Sequence, residues 1–371
     1  MITSFSKPLK IICLLLCSFQ ASAMNVTFIN PGKQGERFWD MVTETMQAAA
    51  SDFNIKLEVI YAERNRIDMA ALGIKATQRE IPPDYLILVN EEQAAEKILL
   101  AASKKNIKTL MLLSDFLPKQ RDRVGFPGGK HQNLLGAITP DYFNAGKRMM
   151  TALLHCAEQK QHQKPYHVLA IGGDQLTPAS IGRNEGALSV IQQQDELTLD
   201  RFLYANWNQQ DAKRLTLKYL HWAQQNKITP SLIWAANDPI AIGAKAALAA
   251  HGLTAGKDVC LVGLNWSSEG LKLVKNGEML LTDGGHFLGG AWSMVLLHDY
   301  HQQQLKGIYT PIGDIRFQMQ SIDQNNIDLY LSHLGNEEWN KIDFTRFSLS
   351  NINGSTQYDF SLAKVFSSIT E

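Results

Sequence analysis

The feature that most constrains this chain of 371 residues is a regular alternation of short apolar runs with amphipathic stretches. Residues 25–30 (NVTFIN), 56–61 (KLEVIY), 85–89 (YLILV), 108–113 (KTLMLL) and 134–139 (LLGAIT) read as strands. So do 166–171 (YHVLAI), 201–205, 231–235 (SLIWA), 259–264 (VCLVGL) and 278–282. Between them, 38–53 places Phe38, Met41, Val42, Met46, Ala49 and Phe53 on one helical face. Helical spacing also covers 69–77, 93–104, 145–156, 180–192, 209–224, 238–251, 267–275 and 291–305. Near-continuous apolar strands are what a sheet covered on both faces requires. Strands alternating with helices of about 10–16 residues predict βαβ units and parallel sheets. The units are too many for one small open sheet. A single (β/α)₈ barrel and a pair of doubly wound lobes both satisfy the count. In either, ligands bind beyond the carboxyl ends of strands.

Composition narrows the class. Apolar residues make up 45% and charged residues 19%, with 36 basic and 36 acidic side chains. That is ordinary for a folded chain and excludes a disordered or collagen-like one. At about 100–200 residues per domain, two domains are expected. The balanced charge speaks against nucleic-acid binding, which shows a basic excess or stripe. No apolar run reaches the ~18–20 residues of a membrane span.

The N-terminus reads as an export signal over residues 1–23. Lys7 and Lys10 precede the apolar run 11–19, and Ala21-Ser22-Ala23 follows as a cleavage signature. Cys17 is preceded by the large Leu16, which disfavours lipid attachment, so a soluble exported protein cut near Ala23 is expected. The mature chain holds 34 basic and 36 acidic groups, a net charge of −2. It keeps Cys156 and Cys260, too few for a disulfide framework. Pairing and two buried thiols are both open. The apolar run around Cys260 favours the thiols.

The candidate functional residues lie at the strand ends. A glycine-bearing loop, Pro31 to Arg37, opens the first helix at Phe38 and Trp39, which can face core and cleft separately. Asp115 follows one strand and Trp207 follows another within Asn206-Trp207-Asn208. Asn237 precedes Asp238-Pro239 as a helix cap. Arg183 sits in a first helical turn, where a cation opposes the helix dipole. Asn265-Trp266 and His286 end two further strands. Aromatic faces with fork-shaped polar groups suit a sugar-like ligand: rings pack on its C–H faces, amides, guanidinium and carboxylate on its hydroxyls. Catalytic signals are weak: no H-E-x-x-H, G-x-S-x-G or P-loop occurs. His298 and His301 share a helix face without an acidic third ligand, so neither metal nor cofactor is expected.

In this order, these residues resemble the periplasmic sugar-binding proteins of the ribose/galactose type, substrate-binding proteins of ABC transporters. The resemblance spans about 24–310. It rests on Asn30 with Phe38-Trp39, on Ala137-Ile138-Thr139-Pro140-Asp141, and on Thr177, Arg183 and Gly186. It rests also on Ala236-Asn237-Asp238-Pro239 running to Ala244, and on Val262-Gly263-Leu264-Asn265. It removes the barrel alternative. It implies two doubly wound lobes joined by three hinge strands, one of residues 24–139 with 284–310, the other of 140–283 with 311–371. Phe38, Trp39 and Trp207 would stack on the ligand. Asp115, Arg183, Asn237 and Asn265 would bond its hydroxyls, with His286 near the hinge. Asn265 and His286 stand where the family has Asp and Gln.

The resemblance further implies a periplasmic monomer that delivers its ligand to a permease, or a sensor that signals through a membrane kinase. A transcription repressor would need a DNA-binding helix pair before residue 25. A hydrolase would need paired cleft carboxylates, for which only Asp115 and Asp238 are candidates. The segment beyond about residue 325 has no assigned role and reads as partly ordered at best past Phe347.

Overall fold

The computed structural model describes residues 24–351 and 357–370, so the export signal expected at 1–23 lies outside the described residues. The chain begins with β1 (Asn25–Asn30), α1 (Arg37–Asp52), β2 (Lys56–Tyr61), α2 (Arg66–Thr77) and β3 (Tyr85–Leu88). It continues through α3 (Ala95–Ser103), β4 (Lys108–Leu112), α4 (Pro118–Val124) and β5 (Leu134–Pro140). A second series follows: α5 (Tyr142–Gln159), β6 (Tyr166–Gly172), α6 (Pro178–Gln193), β7 (Leu197–Tyr204), α7 (Gln209–Gln225), β8 (Pro230–Ala235), α8 (Asp238–Ala250), β9 (Cys260–Leu264), α9 (Ser268–Lys275) and β10 (Leu281–Gly284). The chain ends with α10 (Gly289–Leu305), β11 (Gly313–Phe317), β12 (Gln320–Asp323), α11 (Ile327–Leu334) and α12 (Leu362–Ser367).

Two six-stranded sheets result, ordered β11-β5-β4-β3-β1-β2 and β12-β10-β9-β8-β6-β7. Every pairing is parallel except β10 with β12. The central strands are buried along their whole length, as the apolar runs predict. Helices cover both faces, giving two doubly wound α/β lobes. The chain crosses between them after β5, after β10 and between β11 and β12.

Two expectations are corrected here. Residues from 311 onward do not all join the second lobe, because β11 pairs in parallel with β5 at the edge of the first sheet. The tail past Phe347 is also folded where it is described. Ser348 and Val365 are buried, and Trp292 stacks on Phe360 at 4.6 Å. Asp299 anchors this segment by accepting hydrogen bonds from Ser348 Oγ, Leu349 N and Tyr358 O–H. The sequence hides this because the tail's one described helix, α12, is too short to show a clear period. The tail's aromatics fill one surface of α1 and α10 instead.

Cys156 and Cys260 form a disulfide, which corrects the expectation of two buried thiols. Helix α5 packs on β9 and brings their Cα atoms to 6.4 Å, within bonding reach. The bond closes a separation of 104 residues within the second lobe. Replacing both cysteines by alanine is expected to destabilise that lobe by about 2–4 kcal/mol. A lowered urea midpoint for the double variant, with the first lobe unaffected, checks it.

Candidate functional site

Between the lobes lies a cavity of about 580 Å³, lined from both sheets by the loops after strands. The amino ends of α1, α2, α6, α7, α8 and α9 all reach it, through Arg37, Arg66, Thr177, Asn208, Asn237 and Ser267. These ends expose unpaired N–H groups and partial positive charge. Caps fix their direction: Asn65, Asn208, Asn237 and Ser267 each accept a backbone N–H from their helix's first turn.

Seven of the eight residues singled out from the sequence line this cavity together: Phe38, Trp39, Arg183, Trp207, Asn237, Asn265 and His286. Arg183 is the centre of the set. It is 3% exposed, and its Nη1 donates to the carbonyl of Ala236 at 3.0 Å. Its guanidinium lies over the rings of Tyr142 (4.8 Å) and Trp207 (5.5 Å). Its Nη2 lies 3.1 Å from His286 Nε2. Burial and the neighbouring Arg183 hold the His286 pKa well below its ordinary value. The ring is therefore neutral, accepts from Arg183 at Nε2 and carries its proton on Nδ1. The same ring stacks on Phe38 at 4.5 Å. The hinge histidine thus joins a first-lobe aromatic to the second-lobe cation.

Trp207 is held by a hydrogen bond from its indole N–H to Asp174 Oδ2 at 2.7 Å. Asn206 and Trp207 take left-handed backbone angles (φ 46° and 61°), as do Glu92, Leu113 and Trp266. Such angles cost side-chain-bearing residues about 1 kcal/mol or more each and persist where packing fixes them. At Asn206, Trp207, Glu92 and Leu113 they aim side chains from strand ends toward the cleft.

Asp115 is the exception. It does not line the cavity; its Oδ2 accepts from Arg121 Nη2 at 2.5 Å, and Arg121 also reaches Asp314 on β11. It therefore secures the edge strand. Trp266 is core, 2% exposed, with its N–H donated to the carbonyl of Gln320. Asp238 is buried and accepts from Ser267 N, Ser267 Oγ and Thr282 Oγ1 at 2.7–2.9 Å. Neither carboxylate considered for a hydrolase lines the cleft.

Sequence reasoning missed Arg64, Glu91, Tyr142 and Asp174, all of which line the cavity. Arg64 pairs with Glu36 and with Glu91, the latter at 2.6 Å. Burial, with Arg64 opposing it, pushes the Glu91 carboxyl up to about 7. Glu91 and Asp174 both follow predicted strands, so the strand-end rule was enough to find them. Among the described residues no cluster of three His, Cys, Asp or Glu side chains could hold a metal. No described helix is long and apolar enough to cross a membrane.

Two hinged α/β lobes around a polar, aromatic-lined cleft define a solute-binding protein. The chain belongs to the periplasmic binding protein domain family, whose sequence profile matches residues 26–304. Among solved structures it is similar to a periplasmic sugar-binding protein from Pseudomonas fluorescens, at 29% identity and a TM-score of 0.80. That match covers 92% of this chain and 99% of the other. It shares its fold with the binding protein of a Shewanella arabinose ABC transporter bound to L-arabinofuranose (19% identity, TM-score 0.70, 83% and 95% covered). It also shares it with a Caulobacter myo-inositol binding protein bound to myo-inositol (17%, 0.68, 83% and 95%). No curated protein sequence matches this one.

Proposed function

We propose that this protein captures a monosaccharide or polyol in its cleft, in the periplasm, and delivers it to an ABC-type permease. The observation that carries the reading is the set of aromatic side chains that line the cavity together with Arg183. Phe38 and Trp39 come from one lobe, Trp207 and Tyr142 from the other, with the Asn237 and Asn265 amides among them. The faces suit sugar C–H groups, and the planar polar groups suit hydroxyls. The sugar-binding relative at 29% identity, and the furanose and inositol bound by fold-sharing proteins, support the same ligand class. A ligand that touches both lobes favours the closed arrangement by its tighter binding there. Micromolar affinity needs about −8 kcal/mol. Over a dozen heavy atoms that is roughly −0.7 each, within reach of one small cleft.

Thermal unfolding of the mature protein against L-arabinose, D-allose, D-galactose and myo-inositol tests this. A binder at a hundred times its dissociation constant adds about 2.7 kcal/mol of stability. We expect at least one of these to raise the Tm and Trp207→Ala to weaken its binding at least about tenfold. A Tm unmoved by this panel and by a broader set of pyranoses, furanoses and cyclitols would sink the reading.

A further inference from the structure

The C-terminal extension adds a fourth crossing between the lobes, beside the cleft. Helix α11 belongs to the second lobe, packed on α9 and β12, with Tyr330 against Trp266 at 5.1 Å. Just past the four-residue strap that follows this helix, Trp339 is buried against the first lobe, its indole N–H donated to Glu44 Oε2 on α1 at 3.0 Å. The strap between them, 335–338, carries Glu337. One oxygen of Glu337 accepts from Arg37 Nη2 of the first lobe at 2.5 Å. The other accepts from Ser268 Oγ, on α9 of the second lobe, at 3.1 Å. Arg37 also holds Glu44 at 2.8 Å, so the chain of contacts runs from Trp339 through Glu44, Arg37 and Glu337 to Ser268. Arg37 lines the cavity, and so does Ser267, next to Ser268.

The geometry points to Glu337 as a positioning residue: it latches the two lobes together beside the cleft and so sets how tightly the protein holds and how fast it releases its ligand. A carboxylate with both oxygens engaged by opposite lobes can be satisfied this way only when those lobes are near one another. It therefore adds to the closed state and nothing comparable to the open one, which is the condition for shifting a two-state balance. A partly exposed pair of this kind shifts that ratio by a few fold at most. The lobes also touch where Glu92 N donates to Thr177 Oγ1 at 3.4 Å, so the latch is one of several contacts that need the lobes close together. Nothing in this depends on the ligand being a sugar.

The test is made on the full mature protein without ligand. The Cys156–Cys260 bond leaves no free thiol among the described residues, so spin labels can be placed through Ile67→Cys and Leu176→Cys. These exposed positions adjoin the cleft-lining Arg66 and Thr177 on opposite lobes. Electron–electron distance measurements are expected to show Glu337→Gln and Ser268→Ala moving population from the short to the long distance, by about two- to fivefold. Tyr358→Phe removes a tail contact to Asp299 away from the strap and is expected to leave the distribution unchanged. Distances unaltered by both strap variants overturn the proposal. So does a Tyr358→Phe protein that opens as far as Glu337→Gln, since the tail would then act by general packing. Failure of the sugar panel leaves this test standing.

Discussion

Arg183→Ala is expected to abolish ligand binding while leaving the fold intact. The dissociation constant should rise at least about a hundredfold, roughly 3 kcal/mol, since a hydrogen bond from a charged donor contributes about 1.5–3 kcal/mol and Arg183 offers several. Its side chain also organises its neighbours. Without it His286 loses the donor at Nε2, and the rings of Tyr142 and Trp207 lose the plane they share. Arg183→Lys keeps the charge but loses the flat fork, so it should recover only part of the affinity. The fold should survive because α6 is held by its backbone. A Cβ added at Gly146 would stand 2.0 Å from the Arg183 carbonyl oxygen, and one at Gly186 would stand 2.0 Å from that of Phe143. Helices α5 and α6 are thus in main-chain contact whatever side chain position 183 carries. Calorimetric titration with any sugar found in the panel, beside circular dichroism, checks both halves. Binding within a factor of three of wild type would show that Arg183 is structural.

The lobes and most of the cleft were legible because their signal is local. Tyr85 to Val89 can only be a buried strand, and a parallel strand hands its next residues to the cleft. That rule places Asn237, Asn265 and Trp207, and it holds equally for Glu91 and Asp174, which were passed over. Glu91 follows an unremarkable Val89-Asn90, and Asp174 follows two glycines that do not make a dinucleotide motif. Asp115 obeys the rule in sequence and breaks it in space. What turns it away is Arg121, itself drawn toward Asp314 almost two hundred residues later, and no local pattern carries that.

The tail failed for the same reason. Phe344 and Phe347 share a single 3₁₀ turn and Phe360 comes from further along the chain, yet all three gather on Trp292. Their order comes wholly from the surface of the first lobe. Cys156 and Cys260 also met through tertiary packing, of α5 on β9. Fold class was therefore readable from periodicity, and site membership from strand ends. The extension was not, since the contacts that anchor it to Trp292, Asp299 and Glu44 are long-range.

The second large effect concerns Glu91 and pH. Its carboxyl is raised to about 7 from 4.5 because it is buried, with Asp174, Glu36 and Glu92 adding repulsion that Arg64 only partly offsets. Below pH 4.5 the group is protonated in both the folded and the unfolded chain. Between 4.5 and about 7 the folded protein keeps a proton that the unfolded chain has released. The stability from this group is thus full in acid, falls as pH rises, and is gone above about 7. Glutamine mimics the neutral acid at every pH. Relative to wild type, Glu91→Gln is therefore expected to gain about 3 kcal/mol between pH 4.5 and pH 8. Asp238, raised to about 6 by burial, slopes the same way, while Glu44, Glu58 and Glu96, lowered by arginine partners, slope oppositely. These terms are common to both proteins, so the difference in urea midpoint isolates Glu91. Arg64 retains Glu36 in the variant, so loss of the guanidinium's only partner is not what would be measured. A gap between the two proteins that stays constant from pH 5 to 8 would mean that Glu91 is already ionised within the closed cleft. Arg64 would then neutralise it fully, and Asp174 on the facing lobe would add no repulsion that closure must overcome.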